Sequence, residues 1–297
     1  MKKFKLVTIA VSAALALSGC SASEQVRWSA GSGEIKIVAS TNVWGSVANL
    51  VAGDLATVDA IIYNTNQDPH SYELTARDQL LINNADIVIM NGGGYDDFIQ
   101  QAVDADSTPA ITVNAYMASG DDETRNEHIW YDVDQTGDVA AVIAAAIESL
   151  DESKTEEVET RVADFREKLA ERKAQLKALR AEPKTVFATE PLIDYLLEDA
   201  GYENLTPEPF MEAIEEDTDV PPAAMQESKD IMASGRVDFV CLNESTKTPQ
   251  IEELLKANTN VSVFGFGELL IQDPDTLEYD GGYFEMIDAA IMALKGK

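Results

Sequence analysis

The chain has 297 residues, 53 of them Asp or Glu against 22 Lys or Arg, with a net charge of −31, two histidines and two cysteines. Such acidity argues against a nucleic-acid partner and against a polybasic grip on anionic lipid. Its length suits two domains, and with so few cysteines the fold must rest on its core rather than on disulfides.

Residues 1–20 read as a lipoprotein signal peptide. Met1-Lys2-Lys3-Phe4-Lys5 is a short basic segment, and the apolar run Leu6 to Leu17 is too short to span a bilayer comfortably. Leu17-Ser18-Gly19-Cys20 has the pattern of a lipobox, in which Cys20 is acylated and becomes the new N-terminus. Acyl chains gain free energy with each buried methylene, so the mature chain is expected on the outer face of the cytoplasmic membrane. Removing Lys2, Lys3 and Lys5 takes the net charge from −31 to −34. Residues 21–33, rich in Ser, Gly and Glu, read as a flexible tether.

From there strands and helices alternate. Residues 34–152 are expected to form a first α/β lobe: strand Ile35 to Ser40, helix Val43 to Val51 after a cap at Thr41 or Asn42, and strand Thr57 to Tyr63. A helix from Thr75, with Asp78 at capping-box spacing, and the apolar strand Asp86 to Met90 follow. Residues 153–182 differ in kind. Val158, Val162, Phe165, Leu169, Leu176 and Leu179 recur at helical spacing with charges between them, and no Gly or Pro intervenes before Pro183. At about 1.5 Å per residue this helix runs roughly 40 Å, long enough to join two lobes as a spine. Residues 183–297 resume the alternation: strands at Thr185 to Ala188, Val237 to Leu242 and Val261 to Phe264, with helices at Pro191 to Ala200, Pro222 to Ala233, Pro249 to Ala257 and Tyr283 to Leu294. The expected fold class is α/β, with two similar lobes, each a parallel sheet flanked by helices. In such sheets the loops after the strands build the binding crevice. Cys241 lies in a strand of core character.

The two histidines fall in distinctive runs, Asp68-Pro69-His70-Ser71-Tyr72-Glu73 and Asn126-Glu127-His128-Ile129-Trp130-Tyr131-Asp132. Neutral imidazole is a strong ligand for first-row metals, usually beside carboxylates or thiolates. Trp130 is placed to pack beneath its loop and hold the imidazole. Asp68 and Glu73 are read as shaping the His70 loop or accepting the imidazole's other N–H, and Glu244 as a similar partner.

Together with Ile37-Val38-Ala39-Ser40-Thr41, Ala85-Asp86-Ile87-Val88, Asn91-Gly92-Gly93-Gly94-Tyr95-Asp96-Asp97 and the spine helix, these runs resemble the metal-binding solute receptors of ABC importers for zinc and manganese, the ZnuA-like family. The resemblance covers nearly all of the mature chain. It implies two lobes on a rigid helix, one metal in the cleft between them, and no enzymatic activity. It also implies two ligands from each lobe: His70 and His128 from the first, Glu190 in the third position (with Tyr195 five residues on), and Glu268 in the fourth. The fourth position usually carries aspartate, and Asp273 and Asp275 are rivals there. Zinc-type members commonly place histidine in the third position, manganese-type members glutamate. A membrane permease and an ATPase are the implied partners, with the receptor a monomer.

Two imidazoles and two ionised carboxylates give a site charge of minus two. Carboxylates can bind through both oxygens, which suits the oxygen-rich, higher coordination of Mn²⁺ over four-coordinate Zn²⁺. Zn²⁺ nonetheless binds most such sites more tightly. The acidic run Asp121-Asp122-Glu123 contains no histidine of the kind found in zinc-type cleft loops. A lipid-anchored metallohydrolase is the alternative, but there is no His-Glu-x-x-His helix or Gly-x-Ser-x-Gly elbow to support it. A surface adhesin with a structural metal is a further alternative.

Overall fold

The structure, a computed structural model, describes residues 29–65, 67–105, 110–118, 120, 126–246, 248–271 and 281–296. Cys20, Asp121, Asp122, Glu123, Asp273 and Asp275 lie outside them.

Strands β1 (Ser29–Gly31), β2 (Ile35–Thr41), β3 (Ala56–Ile62), β4 (Ile87–Met90) and β5 (Ile111–Asn114) form one sheet in the order β1-β3-β2-β4-β5. All its pairs are parallel except β1, which runs antiparallel to β3 with Ala30 opposite Val58. Part of the stretch read as tether, Ser29–Gly31, therefore belongs to the sheet. Strands β6 (Thr185–Ala188), β7 (Glu203–Asn204), β8 (Phe239–Asn243) and β9 (Ser262–Phe266) form a second, wholly parallel sheet in the order β7-β6-β8-β9. The helices are α1 (Asn42–Ala52), α2 (Ala76–Asn83), α3 (Asp97–Ala105), α4 (Ala115–Ala118), α5 (Val133–Leu150), α6 (Thr155–Ala178), α7 (Asp194–Ala200), α8 (Glu208–Glu215), α9 (Pro222–Ala233), α10 (Pro249–Leu255) and α11 (Tyr283–Leu294). None of the described helices is long and apolar enough to cross a membrane.

Strand side chains alternate between faces, and this period divides the core. Ile37, Ala39, Ile87 and Ile89 of the first sheet share one buried cluster with Val186, Ala188, Phe239 and Cys241 of the second, packed on α1, α5, α6 and α11. Val38, Val88 and Met90 face the other way, onto Ile82 of α2 and Phe98 and Ile99 of α3. In the second sheet Phe187 and Val240 meet Phe210, Met232 and Leu254 of α8, α9 and α10. Each sheet is thus covered on both faces, which is why Ile87–Met90 of β4 and residues 239–242 of β8 read as unbroken apolar runs.

The spine is α6, with 24 residues and a 3₁₀ turn at each end. Its seam of Val158, Val162, Phe165, Leu169 and Leu176 is buried, and Leu179 is partly so. Lys173 reaches from it to Asp134 of α5 and Asp199 of α7, and Arg172 reaches Asp288 of α11. The Asp134 and Asp288 partners are exposed and their pairs contribute little each, the Lys173–Asp199 pair is largely buried, and the apolar seam carries most of the joining. Thr75 and Asp78 form the expected capping box of α2. Thr41 is the N-cap of α1 but makes no side-chain cap bond. Helices α3, α4, α5 and α8 and strands β5 and β7 are elements that the sequence reading did not anticipate. Beyond β9 the chain returns to the first lobe: Asn42 and Leu270 exchange hydrogen bonds of 3.1 and 3.0 Å, and the Tyr283 N–H donates to Ser46 Oγ.

Candidate metal centre

The carboxyl ends of both sets of parallel strands face one cleft of about 610 Å³, lined among others by Asp68, His70, Glu190, Glu215 and Glu268. His128 stands behind this lining, fully buried. Its orientation follows from one amide. Asn126 Nδ2 donates to Pro191 O at 2.6 Å, which turns Asn126 Oδ1 toward the imidazole, where Nδ1 lies 2.7 Å away. The proton therefore sits on Nδ1, and Nε2 presents its lone pair to the cleft with no hydrogen-bond partner. Burial holds the His128 pKa down to about 3, so the ring is neutral at any physiological pH. Trp130 packs edge-on against the ring, with centroids 5.2 Å apart, as its spacing predicted.

Asn91 secures this loop from below. It donates to Glu127 O at 2.9 Å and accepts from Trp44 Nε1 at 3.0 Å. The adjoining turn closes because Asp96 accepts from the N–H groups of Asn91 and Gly92. Gly92, Gly93 and Gly94 all have positive φ there, and a Cβ on Gly93 would lie 2.7 Å from the Tyr116 ring.

His70 is more exposed, with 36% of its side chain open to solvent. Asp68 shapes its loop as expected, accepting from the His70 N–H at 2.9 Å and from Ser71 Oγ at 2.7 Å. Glu73 is exposed. Tyr95 joins the two lobes: its ring lies 5.0 Å from His70 and 6.1 Å from His128, and its hydroxyl donates to Glu268 Oε2 at 3.2 Å.

From the second lobe, Glu190 follows β6 and is 4% exposed. It occupies the N-cap position of the next turn without making a cap hydrogen bond, so its carboxylate is not engaged in the capping role open to an acid before Pro191. Asn243 Nδ2, at the end of β8, donates to both Glu190 Oε2 and Glu268 Oε1 and draws these two acids together. That corrects the sequence reading by one residue: Glu244 is exposed and pairs through its backbone with Phe266, while Asn243 holds the carboxylates. Strand β9 runs on to Phe266, so Glu268 leaves the strand end after Gly267, whose carbonyl accepts from Tyr131 Oη at 2.7 Å.

One acid was missed entirely. Glu215 closes α8, and its Oε1 lies 3.8 Å from His70 Nε2 and 3.4 Å from His128 Nε2. One potential ligand atom each from His70, Glu127 and Glu215 lie within 4.8 Å of one another. The signal for α8 was present in Pro207 followed by Phe210, Ala213 and Ile214, but nothing local distinguishes Glu215 from Glu212 or Glu216. Burial and neighbouring carboxylates together disfavour charge at this centre. Glu190 is pushed up to about 7, chiefly by burial and against the hydrogen bond from Asn243. Burial raises Glu268 too, and Glu215 is raised strongly by burial and then by Glu190, Glu127 and Glu268. The neutral His128 ring, His70 and the crowded buried carboxylates form a donor set that a divalent cation would stabilise.

The chain is similar to known proteins in sequence and in fold. The manganese-binding lipoprotein MntA of Halalkalibacterium halodurans is 25% identical over 214 residues, covering 69% of this chain and 70% of its own. The periplasmic metal-binding protein of Candidatus Liberibacter asiaticus superposes with a TM-score of 0.69 at 20% identity, covering 88% of this chain and 100% of that one. The Pseudomonas aeruginosa protein FpvC, solved with Mn²⁺, superposes with a TM-score of 0.70 at 19% identity, over 88% of this chain and 99% of its own. Residues 37–296 match the family described as zinc-uptake complex component A, periplasmic, and the chain belongs to that family of metal-binding solute receptors.

Proposed function

We propose that this chain is an extracytoplasmic receptor, anchored through lipid on Cys20, that captures Mn²⁺ ahead of Zn²⁺ and delivers it to the permease and ATPase of an ABC importer. His70, His128, Glu190 and Glu268 hold the ion, and the receptor acts as a monomer without catalysing a reaction. The observation that carries this reading is the buried His128 Nε2, aimed unpartnered into a cleft where Asn243 and Tyr95 gather the opposing carboxylates. The names of the relatives, a manganese-binding lipoprotein among them, favour it as well. Contacts across the cleft, such as Tyr195 Oη to Asn126 O at 2.6 Å, together with the spine, limit delivery to a slight rearrangement of the lobes.

Calorimetric titration of chelator-stripped protein with Mn²⁺ and Zn²⁺ tests the reading. One ion per chain is expected, with no metal-dependent turnover of model esters or phosphates. Stoichiometric binding that survives the pair His70→Ala and Glu190→Ala together would place the site elsewhere. The pH dependence has a definite sign. With its pKa near 7, Glu190 carries a proton below neutrality that must leave when metal binds, whereas His128 has none to lose. Apparent affinity should therefore climb through about pH 7, and the share of proton release that Glu190 contributes, read from buffers of different ionisation enthalpy, should shrink as pH rises from about 6 to 8.

A further inference from the structure

Glu215 is one acid among the chain's 53, yet its placement differs from that of a solvated surface carboxylate. Only 12% of its side chain is exposed, and its buried Oε2 has no hydrogen-bond partner. It sits at the C-terminal end of α8, where the helix dipole disfavours negative charge. Its other oxygen lies 3.8 Å from Nε2 of His70 and 3.4 Å from Nε2 of His128. Burying a carboxylate is costly, and although Glu127 is within hydrogen-bonding reach of it, the crowding by Glu190, Glu127 and Glu268 adds to the cost.

The position is nonetheless firmly built. Phe210 and Ile214 of α8 are buried, with Phe210 edge-on to Phe187 at 5.4 Å. The helix is closed by the Thr218 N–H donating to Ala213 O at 2.8 Å, across a turn in which Asp217 has φ of +47°. A non-glycine residue at positive φ fixes where the helix stops and so where Glu215 points. Independently, His128, fully buried and unpartnered at Nε2, is aimed at the same spot.

We propose that Glu215 is itself a ligand of the transported ion, a third carboxylate contributed by the second lobe from a helix end instead of a strand end. This rests on the receptor reading of the same cleft. Three carboxylates and two imidazoles offer more oxygen donors than a four-coordinate ion uses and raise the site charge to minus three. The added oxygen donors favour Mn²⁺, which accepts higher, oxygen-rich coordination, relative to Zn²⁺, while the added charge strengthens the hold on either dication.

The test compares Glu215→Gln, Glu216→Gln and His128→Ala as full chains, stripped with chelator and titrated with Mn²⁺ and Zn²⁺, with thermal melts as the control for folding. Glu216 is exposed and adjacent, so it reports the effect of charge alone. Glu215→Gln should weaken Mn²⁺ about tenfold or more and Zn²⁺ distinctly less, with Glu216→Gln near parent values. X-ray absorption on the Mn²⁺-loaded protein should show fewer oxygen neighbours in Glu215→Gln. The proposal is overturned if Glu215→Gln binds Mn²⁺ like the parent while His128→Ala does not, an outcome that leaves the receptor reading intact. Equal losses in Glu215→Gln and Glu216→Gln would also overturn it, showing a field effect without ligation. If His128→Ala also binds like the parent, the receptor site itself has been misplaced.

Discussion

His128→Ala lowers the affinity of the stripped protein for Mn²⁺ about a hundredfold or more, measured by titration or by competition with a chelator, while far-UV circular dichroism stays that of the parent. The size of the effect follows from how completely the ring is prepared. Its desolvation is complete in the folded chain, and the Asn126 amide selects the tautomer that leaves Nε2 bare. Trp130 and Tyr95 fix the plane of the ring. Little ordering remains to be done when the metal arrives, so most of the intrinsic strength of the metal–nitrogen bond appears as affinity. His70, more exposed, gives up more freedom on binding, and His70→Ala should cost less than His128→Ala. Equal losses from the two substitutions would show that burial and the Asn126 bond do not prepare the site.

The largest loss of stability is expected for Trp44→Ala, about 3–5 kcal/mol by urea denaturation monitored by circular dichroism. Trp44 is fully buried on α1, in the cluster that joins both sheets to the spine. Removing it opens a cavity and also strips Asn91 Oδ1 of its donor. Because Asn91 holds the Glu127 carbonyl beneath the His128 loop, Mn²⁺ affinity should fall in parallel. Trp44→Phe keeps most of the volume and loses the N–H, so its cost should be nearer about 1–2 kcal/mol. A cost below about 1 kcal/mol for the alanine variant would mean that the core relaxes around the site, contrary to the close packing described.

Strands β2, β4, β6 and β8 were legible because the middle of a strand covered on both faces is apolar, as in Ile37-Val38-Ala39 and Val240-Cys241-Leu242. The spine was legible because its seam keeps helical period over six turns. Helix α5 was not read. Its alanine-rich run from Val133 to Leu150 is apolar on most sides, so it shows little face contrast, although Asp132 caps it with bonds to the N–H groups of Asp134 and Gln135. At the site the histidine runs were distinctive in themselves, whereas the carboxylates were not. Glu244 and Asn243 are neighbours in sequence, and the place where the strand ends decides which one turns inward: Asn243 is its last residue and is buried, and Glu244 just beyond it is exposed.

By itself the sequence determined the α/β class, the two-lobed alternation about a long helix, and the two histidine loops, because these depend on local period and on rare residues. The tertiary structure alone decided the antiparallel edge strand at Ser29–Gly31, the bridging of Glu190 and Glu268 by Asn243, and the entry of Glu215 between the imidazoles. In an acidic chain every surface carries carboxylates. Which of them meet depends on where strands and helices from distant parts of the chain end, and no local pattern encodes that.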